Sequence, residues 1–302
     1  MSLRGTRTTD SLLNRAFRVI GTAARVLTGK QMAGRNVTVF DDDIFITSYP
    51  RSGNTWTRFL VGNLMYPDDP VTFSTIESRI PEIYFNPDHV MRRLPRPRVL
   101  KSHESFQPNY PRVIYIVRDP RDVSVSFYYH NLKWRNIPDN YPMDAFVARF
   151  VRAEFDNGFG SWADNVGSWL SMREGSANFL LLRYEDLKLD PARELEKVAA
   201  FLSRCFFRDI KSSPDRLARA VELSTPERMR SLETQESRNW VLTKYTRADL
   251  PFVRTAVVGK WRSALSEQAI SVIEGAWKPW IQRLGYPMAC EETRPQELKT
   301  HK

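Results

Sequence analysis

The sequence predicts an α/β fold of three layers, with a central, mostly parallel sheet and helices on both of its faces. Three observations carry that expectation. Four short runs rich in β-branched and aromatic residues begin near Asp43, Arg98, Arg112 and Phe179 and alternate with stretches of helical periodicity. Strand-then-helix units in series imply parallel strands joined by right-handed crossovers. The first unit is a strand, a tight loop and a helix, an arrangement that aims backbone N–H groups and a positive dipole end at an anion. Finally, 302 residues with 42% hydrophobic and 26% charged content suffice for one large core.

Composition narrows the function. No apolar run approaches the roughly 18–20 residues of a membrane span, and no basic-then-apolar leader opens the chain. Two cysteines far apart, Cys205 and Cys290, suggest a reducing compartment and a cytoplasmic protein. The four histidines lack metal-ligand spacing, so no metal is expected. A net charge of +10 and a pI near 9.7 call for an anionic partner: nucleic acid, membrane or a multiply charged small molecule. The basic residues are spread along the chain, and no nucleic-acid-binding signature accompanies the aromatics, which favours the small anion.

Residues 1–38 form an N-terminal arm in this reading. Leu12, Leu13, Phe17, Ile20, Ala24 and Leu27 follow helical spacing among Arg15, Arg18 and Arg25. Such a helix either packs on the body or rests on a membrane surface, a peripheral contact that the lack of acids between Ser11 and Phe40 permits. Residues 39–288 are expected to form a single domain, and 289–302 a polar, disordered tail.

The first core strand ends in Tyr49-Pro50-Arg51-Ser52-Gly53-Asn54-Thr55, after which Trp56, Phe59, Leu60 and Leu64 mark one face of a helix. The loop lacks the Walker spacing with its Lys-Ser/Thr pair, so it is either a phosphate loop of another kind or an ordinary turn. Residues 66–97 are irregular, rich in Pro, Asp and Arg, and long enough to be read as functional. Arg98–Glu104 is a short strand that puts Lys101 and His103 on one side, at the strand end where ligands of open sheets sit. Arg112–Val117 is the clearest buried strand. It runs into Arg118-Asp119-Pro120-Arg121-Asp122, a helix start with proline and acids in the first turn. Arg118 and, further along that helix, Ser126 could both face one phosphate, or simply belong to a salt-bridged helix start. Helices are expected near Met143 and from Gly160-Ser161-Trp162, and another buried strand at Phe179–Leu182. Pro191 opens a helix that buries Leu195, Val198, Ala199 and Leu202. In the last helix Leu265, Ala269, Val272, Ile273, Ala276 and Leu284 form the apolar face, with Pro279 ending or bending it.

These pieces together resemble the sulfotransferases that use 3′-phosphoadenosine 5′-phosphosulfate (PAPS), in particular their soluble small-molecule branch. Tyr49–Trp56 is similar to the family's 5′-phosphosulfate loop, Arg118–Ser126 to its 3′-phosphate motif, and Leu100-Lys101-Ser102-His103 to the segment with the catalytic histidine. Arg183-Tyr184-Glu185-Asp186 and Gly160-Ser161-Trp162 fall in the family's order. The resemblance implies that Arg51, Ser52, Gly53, Asn54 and Thr55 wrap the 5′-phosphosulfate and that Trp56 stacks on adenine. It implies Arg118, Ser126 and Arg254 on the 3′-phosphate, and Tyr184 and Ser224 beside the adenine. His103, with Lys101 next to it, would take the proton of an acceptor hydroxyl or amine.

Such transfer passes in line between two oxygens, so positioning and charge stabilisation carry it, and a neutral imidazole suits the base. The chain departs from the family's pattern in two places. Arg51 stands where lysine is common, and an arginine can neutralise charge but not give up a proton. The family's Arg-Lys-Gly becomes Arg254-Thr255-Ala256, and Pro226 stands where an aromatic contact to adenine is expected. No dimer motif follows Trp261, so the oligomeric state stays open. Two rival readings are a P-loop-type nucleotide kinase, which the missing Walker lysine disfavours, and a non-catalytic anion- or nucleic-acid-binding module. The acceptor pocket is expected from 66–97, 134–142 and 230–255, with Tyr84, Phe85, Phe106, Trp134 and Trp240 either lining it for an apolar acceptor or serving as core.

Overall fold

A computed structural model describes residues 32–155, 158–205, 213–236, 238–254 and 256–289. Strand β1 (Ile44–Ser48) leads into helix α1 (Asn54–Met65). Two short helices, α2 (Ile76–Arg79) and α3 (Asp88–Met91), interrupt the next segment before β2 (Val99–Ser102). Strand β3 (Arg112–Val117) runs into α4 (Pro120–Lys133), followed by α5 (Met143–Val151) and α6 (Trp162–Arg173). Strand β4 (Phe179–Arg183) precedes α7 (Tyr184–Leu189), α8 (Pro191–Arg204), α9 (Pro214–Glu222) and α10 (Pro226–Glu236). The chain then makes α11 (Trp261–Ala264) and α12 (Glu267–Arg283). All four strands are parallel in the order β2-β1-β3-β4, with Ile46 between Lys101 and Ile114 and Tyr115 opposite Leu181.

The period-two alternation of the strands divides the core. Phe45, Leu100, Val113, Tyr115 and Val117 face a cluster built with α4, α5, α6 and α12. Ile44, Ile46, Val99, Ile114 and Ile116 face the opposite cluster, built with α1, α8 and α9. A third cluster joins Phe59, Val71, Phe73 and Ile76 to Met229, Trp240, Leu242 and Phe252. It holds the segment after α10 against the body.

Local sequence explains the helix starts. Asp119 caps α4 by accepting from Arg121 N at 2.9 Å, with Pro120 in the first turn. Ser161 and Asp164 form a reciprocal capping box on α6.

Several expectations need correcting. The second strand-then-helix unit does not exist, because β2 reaches β3 through residues 103–111 without a helix, and Tyr110 lies flat against Phe45 with ring centroids 3.5 Å apart. Helix α1 is buried beyond one face: Thr57, Arg58 and Asn63 are enclosed too, since the helix sits between the sheet and the third cluster. Arg58 is tolerated there because it pairs with Glu77 at 2.9 Å and donates to Ile80 O at 3.0 Å. Strand β4 is a half-buried edge strand rather than a fully buried one. In α12, Ala269, Ile273, Trp277 and Ile281 point inward, whereas Val272 and Ala276 are exposed on its flank; Trp277 leaves helical geometry two residues before Pro279. Residues 32–38 pack on the body, with Ala33 and Val37 buried. The proposed membrane-facing helix within 1–30 and the tail from Cys290 lie outside the described residues. Among the described residues no helix is long and apolar enough to cross a membrane.

Candidate active site

From β1 the chain goes to β2, and from β3 it goes to β4, so the carboxyl ends of β1 and β3 mark a topological switch point. Two loops leave the sheet there. In the first, Arg51 (φ 70°) and Gly53 (φ 101°) both adopt left-handed backbone. A side chain at Gly53 would place its Cβ 2.4 Å from Tyr184 Cδ2, so the position demands glycine twice over. Gly53 caps α1 without offering a side-chain acceptor, which leaves the free N–H groups of the helix start for an anion. Asn54 Nδ2 bridges Ile46 O at 3.3 Å, Ser48 Oγ at 3.2 Å and Ser102 O at 3.4 Å, locking the loop onto β1 and β2. Ser52 Oγ is buried with no partner.

The second loop brings in Arg118 and α4. Arg51 Nε donates to Ser126 Oγ at 3.2 Å. Arg118 lies 4.2 Å over the Tyr184 ring, 3.8 Å from Asp122, with a buried Nε that has no partner. Arg254 rests 3.7 Å over Tyr129. Burial, then the charges of Arg118 and Arg254, draw Arg51 down to about 10, so it remains a cation at neutral pH. Three crowded guanidinium groups and orphaned buried donors fit a multiply charged anion. Trp56 stands edge-on to Tyr184 at 5.7 Å and forms an aromatic wall beside them. The segment after Arg254 lacks the expected Lys-Gly pair but still reaches the cavity, because Asp122 accepts from Gly259 N at 2.7 Å and Trp261 N at 3.0 Å. Ala256, Val257 and Lys260 join Arg254 in the wall.

His103 follows β2 beside this cradle. Its Nδ1 lies 2.8 Å from Ser48 O. A carbonyl only accepts, so Nδ1 carries the hydrogen and Nε2 is the basic nitrogen. The main chain is held on both sides: His103 N donates to Tyr84 Oη at 3.0 Å, and Asn165 Nδ2 donates to His103 O at 3.0 Å. Burial keeps the imidazole well below its ordinary value, and the charge of Lys101 works in the same direction. Lys101 Nζ in turn lies 2.6 Å from Glu82, buried with it.

Cradle and histidine share one cavity of about 770 Å³. Arg51, Gly53, Asn54, Thr55, Trp56, Lys101, His103, Arg118, Ser126, Tyr184 and Arg254 all line it. Ser52 and Ser224 do not. Ser224 sits behind Trp56, accepting the indole N–H through its carbonyl at 2.8 Å. Its hydroxyl donates to Ala220 O at 2.8 Å and accepts from Asn63 at 3.0 Å. Of the proposed pocket aromatics, Tyr84, Phe85 and Trp134 line the cavity. Phe106 packs on Trp169 and Trp240 is core between Phe73 and Phe252. Sequence reasoning missed Phe127, His130, Phe155, Phe159 and Phe252, and the carboxylates Glu82 and Glu104. His130 had a signal: it stands four residues after Ser126 and therefore on the same helix face.

Comparison with known proteins agrees with this geometry. Residues 41–285 match the family described as the sulfotransferase domain. The chain is 31% identical to sulfotransferase 2A1 of Rattus norvegicus over 237 residues, covering 74% of this chain and 79% of that one. It is 30% identical over 236 residues to the 3-beta-hydroxysteroid sulfotransferase of Cavia porcellus, covering 74% and 78%. In fold it is similar to the mouse sulfotransferase SULT7A1, solved in complex with PAP, with a TM-score of 0.65 at 24% identity over 83% of this chain and 87% of that one. The chain belongs to the sulfotransferase family. It is an enzyme of PAPS-dependent sulfuryl transfer to small-molecule acceptors, and neither the nucleotide kinase nor the passive binding module is favoured.

Proposed function

We propose that His103 is the general base that removes a proton from a hydroxyl, or an amine, of a small, largely apolar acceptor while the sulfuryl group of PAPS moves onto it. The carrying observation is the His103 Nδ1 contact with Ser48 O, which makes Nε2 the basic nitrogen of a residue that lines the same cavity as the anion cradle. In the transfer, a bond from sulfur to the acceptor oxygen (or, for an amine, nitrogen) forms, the S–O bond to the 5′-phosphate breaks, and the acceptor proton goes to Nε2. Arg51 and the N–H groups at the start of α1 neutralise the departing 5′-phosphate. Arg118, Ser126 and Arg254 hold the 3′-phosphate, and Trp56 with Tyr184 receives the adenine. Lys101 acts through its charge, which helps to keep the imidazole neutral. The aromatic lining supports an apolar acceptor body, in keeping with the hydroxysteroid named for the guinea-pig relative.

The test is His103→Ala assayed with labelled PAPS against phenols, aliphatic alcohols, sugars and hydroxysteroids. Transfer should fall by roughly 10²–10⁴-fold, while binding of 3′-phosphoadenosine 5′-phosphate (PAP) is retained. A variant with full activity removes His103 from the mechanism. Failure of the unaltered protein to bind PAP would remove the donor site.

A further inference from the structure

Helix α4 sends Ser126, His130 and, at its C-terminal cap, Trp134 into the cavity at intervals of four residues. Ser126 marks the donor end through its contact with Arg51, so the stripe runs from the donor cradle into the acceptor region. Most other polar side chains of this helix have partners. Ser124 donates to Arg121 O, Tyr128 Oη to Tyr141 O, Asn131 to Phe127 O, and Lys133 to two carbonyls. Among the buried polar atoms of the helix and its cap, His130 Nδ1 and Trp134 Nε1 are the exceptions: both are shut off from solvent and neither has a hydrogen-bond partner. Their rings stand side by side, centroids 5.4 Å apart. The neighbouring Phe127, Phe155 and Phe252 offer no hydrogen-bonding atoms. Orphaned polar atoms at depth are costly, and because both residues line the cavity a ligand becomes the available partner once their rings adjust to it.

We propose that the acceptor carries a second oxygen, a hydroxyl or carbonyl separate from the sulfated group, which His130 and the Trp134 indole N–H bind. An indole N–H can only donate, so the matching atom must accept. Burial, with the positive charges of Arg51 and Lys101, holds His130 in its neutral form, which leaves one ring nitrogen to donate and one to accept. The pair therefore suits an uncharged oxygen. This assignment rests on the sulfotransferase reading of the same cavity, and it makes α4 a specificity element as well as part of the donor site.

Matched acceptors test it: naphthol against dihydroxynaphthalene, hydroxybiphenyl against dihydroxybiphenyl, and a hydroxysteroid against its ketone-bearing analogue. In the unaltered enzyme at least one oxygen-bearing member should exceed its partner in kcat/KM by about tenfold or more, as expected where a site is built to hydrogen-bond its substrate. His130→Phe and Trp134→Phe should each bring that ratio close to one, mainly through KM. PAP binding and thermal unfolding report whether each variant is folded, and if one fails to fold the other decides. The inference is overturned if no pair shows the gain, or if the variants lower both members equally. If PAP binds but no acceptor in the panel is sulfated, the transferase reading of the acceptor site fails and this inference falls with it. Loss of discrimination with transfer retained overturns neither reading and supports this one.

Discussion

In the proposed mechanism Arg51 and His103 divide the chemistry through their surroundings. Arg51 sits in left-handed backbone, with its guanidinium 4.8 Å over the Phe252 ring and against Ser126. Drawn down to about 10, it is still a cation at neutral pH and matches the charge of a departing phosphate, while the proposal leaves the acceptor's proton to the histidine. The histidine's depressed pKa sets a clear expectation. A base works in its neutral form, which persists below the ordinary value near 6.5 when burial and Lys101 lower it. The acid limb of kcat/KM for PAPS, which reports the free enzyme, should therefore fall below pH 6.5. A limb at or above that value would contradict the assigned environment. Lys101→Met removes the adjacent charge and leaves Glu82 without its 2.6 Å partner. The limb should then move upward, toward the ordinary histidine range.

Helix starts and loop anchors determine whether the proposed donor cradle can form. Helix α1 begins at Gly53, where positive φ and the proximity of Tyr184 each exclude a side chain. Gly53→Ala should push Tyr184 aside, lower the unfolding midpoint by a few degrees and weaken PAP binding by about tenfold or more, read by thermal denaturation and calorimetry. The segment between Arg254 and α11 depends instead on one carboxylate. Asp122 accepts from both Gly259 N and Trp261 N, and burial pushes its pKa upward against the pull of Arg118. Asp122→Ala leaves two N–H groups unpaired and frees the segment that carries Val257 and Lys260 to the cavity. PAP affinity should drop by about tenfold, with a smaller loss for Asp122→Asn, which keeps one acceptor. Equal affinity in Asp122→Ala would mean that the segment contributes nothing to donor binding.

Across the whole molecule, like charges are concentrated where strands β1 and β3 end, while the two faces of the sheet are apolar. The native state thus holds Arg51, Arg118 and Arg254 together at an electrostatic cost that a bound polyanion relieves. PAP at a hundred times its Kd should stabilise the fold by about 2.7 kcal/mol and raise the unfolding midpoint by roughly 5 °C. The affinity should weaken with added salt, since part of the attraction is screened. A PAP-induced shift absent at low salt would contradict the cradle.

The sequence by itself determined the strand and helix order over most of the described chain, the parallel sheet, and the loops that leave β1 and β3. These are local matters: alternation, periodicity, glycine, proline and capping residues act within a few positions of themselves. The family resemblance placed Ser224 beside the adenine, whereas folding turns its hydroxyl toward Ala220 and Asn63 behind Trp56. Only the tertiary structure decided which aromatics face the cavity, that Glu82 holds Lys101, that Ser48 sets the tautomer of His103, and that His130 and Trp134 lack partners. The reason is distance along the chain. His103 and Ser48 are 55 residues apart and Asp122 and Gly259 are 137 apart. No spacing rule reaches that far, and it is the packing of separate elements onto the carboxyl end of one sheet that brings a loop of phosphate-binding type, a buried histidine and a cation cluster into one shared cavity.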